Sequence, residues 1–447
     1  MIELIEREGL SNYSDFVDYL VKTSNNFAQG QISLSNNKHE IESLINGTNA
    51  KAISKFLDNT VRKDQGIFFT SEHLAEKVAK RLKNELQQGK SIYDPACGAG
   101  DLFLACIKLM PQKETITETL SYWSSKIFGQ DLAADFVRSA QARLVISSLY
   151  LYSIEKKRHL IINKKNFFEN IIVNDFFEDS SIIQRADCIV TNPPYGNVDL
   201  TGKVAWARGK GQLAALFLDH IINASKDGQR VVAILPDVLR SGSRYGKWRA
   251  FINSNSNNLN TEICGKFNNE ADVDVFILDF IISKNSLPEN ITTFDIHSGI
   301  KGTKSKMSDY FNISVGPVVP HRDEQIGELS PYIDTRNAKL WEEVTPRNKK
   351  KYKCTLKKPP FIALRRTSSP ADKPRLKVSI IKGTKSVSVE NHLIVMEPKD
   401  GKLQTCREFL RVAKSIEAND WTNQKIRCRH LTVSAIREMP IFDFKIS

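Results

Sequence analysis

The chain opens with apolar residues on helical faces. Phe16, Val17, Leu20 and Val21 form one such group, and Ile41, Leu44 and Ile45 another. Polar Asn- and Ser-rich clusters at 24–26 and 33–37 separate them, so residues 1–62 are expected to form a helical packing arm. From residue 91 the rhythm changes. Short apolar runs at 91–93, 127–129, 171–173, 188–190 and 230–235 alternate with longer helical stretches, an apolar one at 102–109, a second at 133–151 and an amphipathic one at 212–224. That alternation predicts an α/β fold built from βαβ units. Residues 171–177 are expected as the third strand and 273–282 as an antiparallel strand at the sheet edge. The Asn- and Ser-rich stretch 252–260 reads as a surface loop, 266–270 as a turn, and 316–320 as an extended linker. Short strands near 361–364 and 393–395 follow.

What lies at the strand ends changes the picture. Asp94-Pro95-Ala96-Cys97-Gly98-Ala99-Gly100 follows the first run, and glycines there let the backbone come close to a ligand. Phe103 occupies the place of the third glycine of the dinucleotide pattern, so a ligand with an amino-acid tail fits better than a pyrophosphate. Asp131 ends the second run, where a carboxylate can take ribose hydroxyls. In the third, Asp175 can accept from the 6-amino group of an adenine, and Phe176 can pack on that ring. Singly, each aspartate reads as an exposed turn residue. An aspartate at three successive strand ends argues for a nucleoside-binding edge.

The fourth run leads into Asn192-Pro193-Pro194-Tyr195. Each proline fixes φ near about −65° and donates no hydrogen bond. Such a rigid tetrapeptide suits a flat, amino-bearing ring. The Asn192 side-chain oxygen can accept one amine hydrogen, the Pro193 carbonyl the other, and the Tyr195 ring offers a stacking face. A proline-rich turn with a capping Asn is the plainer reading. A glycine-rich basic loop with Lys203, Arg208 and Lys210 follows and is expected to be mobile. Upstream, Thr70 or Ser71 is expected to cap a helix starting near Glu72.

Charge adds a partner. The net charge is +13, and from His321 onward Lys and Arg outnumber Asp and Glu by 27 to 15. A basic terminal region beside a near-neutral body is the footprint of polyanion binding. There Arg365 and Arg366, among Ser, Thr and His, suit phosphate and base-edge contacts. No apolar run approaches the ~18 residues of a membrane span, and the acidic start does not read as a signal peptide. Seven scattered cysteines suggest free thiols in a reducing cytoplasm. Cys428-Arg429-His430 lacks partners at ligand spacing, so no metal is expected.

Taken together, these motifs resemble those of the adenine-N6 DNA methyltransferases that use S-adenosyl-L-methionine, in the gamma-type order with target recognition at the C-terminus. The segment Gly66 to Thr70 is similar to the family's N-terminal cofactor motif, with Ser71 where proline is usual. Asp94 to Gly100 is similar to its glycine motif, with Ala99 in place of Ser. Asn192 to Tyr195 matches the catalytic motif without departure. The resemblance implies a seven-stranded, mostly parallel Rossmann-like sheet in residues 63–305 and an α+β DNA-recognition domain in 306–447. It implies cofactor contacts from Thr70, Asp94, Ala96, Gly98, Gly100, Asp131, Leu132, Asp175, Phe176 and Asn192. Catalysis would fall to Asn192, Pro193, Pro194 and Tyr195, with Tyr195 and Phe267 stacking on an extruded adenine. Lys203, Arg208, Lys210, Arg365 and Arg366 would contact double-stranded DNA. The implied setting is the prokaryotic cytoplasm, as the modification part of a restriction-modification or related defence system. A restriction endonuclease or specificity subunit is an implied partner. The sequence shows no nuclease signature and no room for a nuclease domain ahead of residue 60, so any cleavage is expected from another chain.

Three alternatives stand beside this reading. Methylation of a protein glutamine or of an rRNA amino group uses a related motif but leaves the basic C-terminal region unexplained. Cytosine carbon-5 methylation needs a cysteine nucleophile, typically after proline, and no cysteine here follows a proline; methylation of the cytosine amino group is closer, but that class usually has Ser where Asn192 stands. The third is a non-catalytic DNA-binding module that retains cofactor.

Overall fold

A computed structural model describes residues 8–29, 31, 38–45, 47–57, 70–156, 166–267, 273–284 and 305–442. The chain divides into two compact units, Met1–Leu239 with Lys247–Thr292, and Arg240–Gly246 with Thr293–Ser447. In the first, seven strands form one sheet: β1 Ile92–Asp94, β2 Ile127–Asp131, β3 Ile171–Val173, β4 Cys188–Thr191, β5 Arg230–Pro236, β6 Ser256–Lys266 and β7 Asp274–Ile282. Their spatial order is β3-β2-β1-β4-β5-β7-β6. The first five run parallel. β7 lies antiparallel to β5, and β6 antiparallel to β7. β1 and β4 are buried along their whole length, as strands with helices on both faces must be. The chain builds outward from β1 to β3, then returns to place β4 on the other side of β1. Ligands of open α/β sheets bind at such a reversal.

Helices α1 Tyr13–Ala28, α2 Glu72–Arg81, α3 Asp101–Ile107, α4 Ala134–Lys156 and α5 Leu213–Ala224 accompany this sheet. Ser71 caps α2, its Oγ accepting from Leu74 N at 3.4 Å. The N-terminal helix α1 packs on α4.

Several expectations change. The stretch read as a surface loop at 252–260 holds the start of β6, an eleven-residue strand with register shifts. An edge strand faces solvent, so Asn and Thr are compatible with it, and they hid the strand. β7 is therefore interior. β3 stops at Val173, leaving Asp175 two residues beyond its end. The loop expected to be mobile after Tyr195 is a two-stranded ribbon, Asn197–Asp199 against Lys210–Gln212. Its tip is pinned where the buried Trp206 Nε1 donates to Asp219 Oδ2 of α5 at 3.0 Å. Residues 66–69 of the predicted cofactor turn and 268–270 of the predicted turn lie outside the described residues.

The second unit holds a five-stranded sheet of β8 Phe311–Val315, β9 Glu343–Val344, β10 Phe361–Arg365, β11 Val378–Ile381 and β12 Leu393–Pro398, in the order β8-β12-β10-β11-β9. Side chains of β10 alternate between two cores. Ile362 and Leu364 join Phe409, Val412 and Trp421 of the helices Leu403–Ala413 and Ile416–Lys425. Phe361 and Ala363 join Ile333, Val387 and Val389. The stretch 316–320, read as a linker, belongs to this packing. Gly316 N donates to Leu393 O at 2.8 Å, and Val318 is fully buried. A Cβ on Gly316 would lie 2.0 Å from the Glu390 carbonyl oxygen, so only glycine fits.

Candidate active site at the sheet edge

Strand order alone brings four polar positions to one edge. Asp94 ends β1, Asp131 ends β2, Asn192 follows β4, and Asp175 lies just past β3. These strands are consecutive in space as β3-β2-β1-β4. Three gaps of ~4.8 Å make a span of roughly 14 Å, enough for a nucleoside with an amino-acid tail.

The glycine turn is held from both sides. Asp94 Oδ1 accepts from Ala96 N at 3.0 Å, and Gly98 N donates to Asp131 Oδ2 at 2.9 Å. Gly98 and Gly100 have φ of 50° and 83°, which non-glycine residues seldom adopt. Gly100 also precedes α3, and a Cβ there would meet Ala140 of α4 at 3.1 Å. The pattern of this turn was legible, but its brace was not. Arg143 of α4, nearly fully buried, donates to Asp101 Oδ1 at 2.9 Å, to Ala99 O at 2.6 Å and to Ile45 O at 2.8 Å. A buried arginine inside an amphipathic helix gives no periodic signal, so sequence reasoning passed over it.

Burial sets the state of both acids. It pushes the Asp94 carboxyl up to about 7, partly offset by the Ala96 N–H. It also raises Asp131, offset by the N–H groups of Ala133 and Gly98. Asp131 Oδ1 accepts from Ala133 N at 3.0 Å. Each carboxylate oxygen can accept a second bond, so this residue has the capacity to take paired hydroxyls.

Leu132 beside Asp131 is 71% exposed, Val173 at the end of β3 is 53% exposed, and Phe177 is 37% exposed. Such exposed apolar side chains at and just beyond the ends of β2 and β3 are surface that a planar aromatic ligand can cover. Phe176, expected on that ring, turns inward. It is 2% exposed and lies 4.8 Å from His220 and 5.5 Å from Phe217, centroid to centroid. Asp175 Oδ1 accepts from Phe177 N at 2.8 Å, closing a tight turn. Residues 94–100, 131–132 and 175 thus offer carboxylate, backbone carbonyl and apolar groups, a set whose chemistry fits the ammonium, hydroxyls and ring of S-adenosyl-L-methionine.

At the end of β4, Asn192 is fixed by two neighbours. Its Nδ2 donates to Thr70 Oγ1 at 3.1 Å, and its Oδ1 accepts from the Tyr195 hydroxyl at 2.6 Å. Tyr195 OH also lies 3.3 Å from Ile234 O of β5. Burial raises the Tyr195 phenol well above its ordinary value, so it remains a donor. Pro193 is buried and Pro194 half-buried, and the pair holds Asn192 and Tyr195 at fixed separation. Phe267, read as a stacking face for an extruded adenine, is 2% exposed and so presents little open face here. Its ring meets the Tyr195 ring edge-on, centroids 5.8 Å apart and planes at 76°. An apolar ring at a strand end finds cover against the nearest aromatic, which the sequence could not show.

Lys203, Arg208 and Lys210 are exposed on the ribbon. Arg365 and Arg366 belong to the second unit. Arg365 Nη2 donates to Thr335 O at 2.9 Å and Arg366 Nη1 to Asn391 O at 3.2 Å. Among the described residues no cluster of three His, Cys, Asp or Glu could hold a metal ion, and no helix is long and apolar enough to cross a membrane.

Residues 52–303, just over half of the chain, match the family described as N-6 DNA Methylase. Over 195 residues, 41% of the chain, the sequence is 25% identical to the type I restriction enzyme EcoEI methylase subunit of Escherichia coli. Over 162 residues, 35% of the chain, it is 26% identical to the type I restriction enzyme MpnII methylase subunit of Mycoplasma pneumoniae. These matches cover 34% and 25% of the two subunits, so the chain spans about a third or less of the curated relatives it matches. Among solved structures, the type IIL restriction-modification enzyme MmeI in complex with DNA aligns with a TM-score of 0.53 at 12% identity. That alignment takes in 88% of this chain and 69% of the other, and the likeness is one of fold.

Proposed function

The chain belongs to the N-6 DNA methylase family, and from that premise we propose that it moves a methyl group from S-adenosyl-L-methionine to the 6-amino group of an adenine extruded from double-stranded DNA. The observation that carries the proposal is the edge itself, where Asp175, Asp131, Asp94 and Asn192 follow one another along four adjacent parallel strands.

S-adenosyl-L-methionine supplies a methyl group made electrophilic by its sulfonium. The chain's residues do the rest. Asp131 would take the ribose hydroxyls and Asp175 the adenine amine of the cofactor, with Leu132 offering apolar cover to its ring. Asp94, Ala96, Gly98 and Gly100 hold the amino-acid tail. Thr70 orients the Asn192 amide so that its oxygen faces the target. An adenine amine is a poor nucleophile because its lone pair is delocalised into the ring. Accepting both its hydrogens, at Asn192 Oδ1 and the Pro193 carbonyl, makes the nitrogen more pyramidal and turns the lone pair toward the methyl. Positioning and fixed dipoles then carry the step. Extrusion of the base costs roughly a few kcal/mol, offset by stacking in the pocket.

The basic ribbon and the second unit give DNA affinity, and a specificity or restriction subunit is a partner by analogy with the relatives' names. The test is transfer of tritiated methyl to DNA lacking adenine methylation, followed by nucleoside analysis. N6-methyladenine supports the reading. Label in cytosine, RNA or protein instead, or none with DNA still bound, overturns it in favour of the corresponding alternative.

A further inference from the structure

The second unit contains a cavity of ≈ 530 Å³ whose lining includes Tyr332, Thr335, Lys350, Arg365, Glu390 and His392. A chain of hydrogen bonds fixes the arginine. Arg365 Nη2 donates to Thr335 O at 2.9 Å, Thr335 N donates to Glu390 Oε2 at 3.2 Å, and Glu390 Oε1 lies 3.1 Å from His392 Nδ1. Glu390 thereby holds both the peptide that orients Arg365 and the neighbouring imidazole. Arg365 ends β10, in register with Leu393 of β12. It makes no ion pair among the described residues, so its charge is not spent on a carboxylate.

The lining distinguishes a base from a phosphate. Asp334 and Glu390 line the cavity together with Arg336, Lys350 and Arg365, so acceptors and donors stand side by side, and a phosphate, which only accepts, matches that mixture less fully than a base edge does. A base edge is neutral and carries donors and acceptors together. A guanidinium held at fixed orientation suits a planar edge with two acceptors, and guanine O6 with N7 is that edge in the major groove. Lys350, over the Tyr332 ring at 4.2 Å, and the exposed Arg336 lie on the same cavity and suit backbone phosphates.

We propose that Arg365 is a specificity-determining residue that reads one guanine of the recognised DNA sequence, with Thr335 and Glu390 as positioning residues. The inference rests on the reading of this chain as a DNA-modifying enzyme, but needs binding only, not methyl transfer. The full chain is used to select bound duplexes from a random pool, and methylation is assayed separately. The pool should converge on a site with at least one invariant G·C pair. Duplexes carrying 7-deazaguanine at each guanine in turn remove the N7 acceptor. Wild type should lose roughly tenfold or more in affinity at one position, and Arg365→Ala should show no further loss there. Glu390→Gln should weaken that discrimination partway, while Lys350→Ala should weaken binding to all sequences alike. A selected site without an invariant G·C pair, no convergence at all, or an unchanged 7-deazaguanine penalty in Arg365→Ala overturns the proposal. Convergence on such a site without methylation overturns the methyl-transfer reading and leaves this one standing.

Discussion

The Tyr195 hydroxyl donates to Asn192 Oδ1 at 2.6 Å, the oxygen proposed to receive the target amine. An amide oxygen can accept two hydrogen bonds, so tyrosine and substrate can share it, or the substrate can displace the phenol toward Ile234 O. Either way the phenol fixes the amide plane before the base arrives. Tyr195→Phe keeps the stacking ring and removes that bond. A net hydrogen bond contributes about 1 kcal/mol, so turnover should fall roughly fivefold. Asn192→Ala removes the acceptor itself and should lower turnover at least a hundredfold with DNA affinity unchanged. Single-turnover methylation measures both, and near-normal rates in Asn192→Ala would sink the assignment.

Asp131 joins a proposed ligand contact to a structural one, because it also receives Gly98 N and Ala133 N. Asp131→Ala should therefore weaken S-adenosyl-L-methionine binding by about 1–3 kcal/mol, the cost of unpaired polar groups, and also loosen the glycine turn. Asp131→Asn keeps an oxygen acceptor and should lose less. Titration calorimetry separates the two variants, and unchanged affinity in both contradicts the proposed site.

The buried Asp94 links binding to pH. Its carboxyl is pushed up to about 7, whereas the unfolded chain releases that proton near pH 4. Between these values the folded state holds more protons than the unfolded. The stability this group contributes is thus full below about pH 4 and is lost as pH rises through 7. A cationic ligand favours the carboxylate form. S-adenosyl-L-methionine affinity should therefore rise from pH 6 to 8 in wild type and stay flat in Asp94→Asn. Calorimetry in buffers of different ionisation enthalpy should also show proton release at pH 6, and its absence would count against this role.

The sheet was legible because its apolar runs were too short for helices and each led within two residues to Asp or Asn, which marked the strands and a candidate edge. β6 was missed because Ser256, Asn257 and Asn260 carry the composition of a loop while an edge strand tolerates them. The stretch around Gly316 resembled a linker because its packing partners, Glu390 and Leu393, lie more than seventy residues away. Arg143 and Phe267 show the same limit. Their roles depend on neighbours that folding alone brings together, Ala99 and Asp101 for one, Tyr195 for the other.

Arg143 gives a stability test of that long-range brace. Removing one partner of a buried ion pair costs roughly 3–5 kcal/mol, and here Asp101 is only part-buried, so about 3 kcal/mol is expected for Arg143→Met. The Ala99 carbonyl loses its donor as well. Urea denaturation should show the loss, and cofactor affinity should fall with it. An unchanged midpoint would mean that the glycine turn stands without the brace.

Phe267 faces a choice between two partners. In this structure it meets Tyr195 edge-on, a contact of about 0.5–1.5 kcal/mol. Stacking on an extruded base contributes about 1–3 kcal/mol. The edge-on contact alone is thus no larger than the stacking that would replace it, and a stacked base would keep the ring covered. Phe267→Ala removes both contacts, so it should slow methylation and hold the extruded base poorly. Phe267→Trp keeps a stacking face and should retain more activity. The loss in Phe267→Ala should shrink on DNA whose target adenine is mismatched, because extrusion then costs less. Fluorescence of 2-aminopurine at the target position reads base capture directly. An equal rise in wild type and in Phe267→Ala would show that Phe267 remains a packing partner of Tyr195 and does not hold the base.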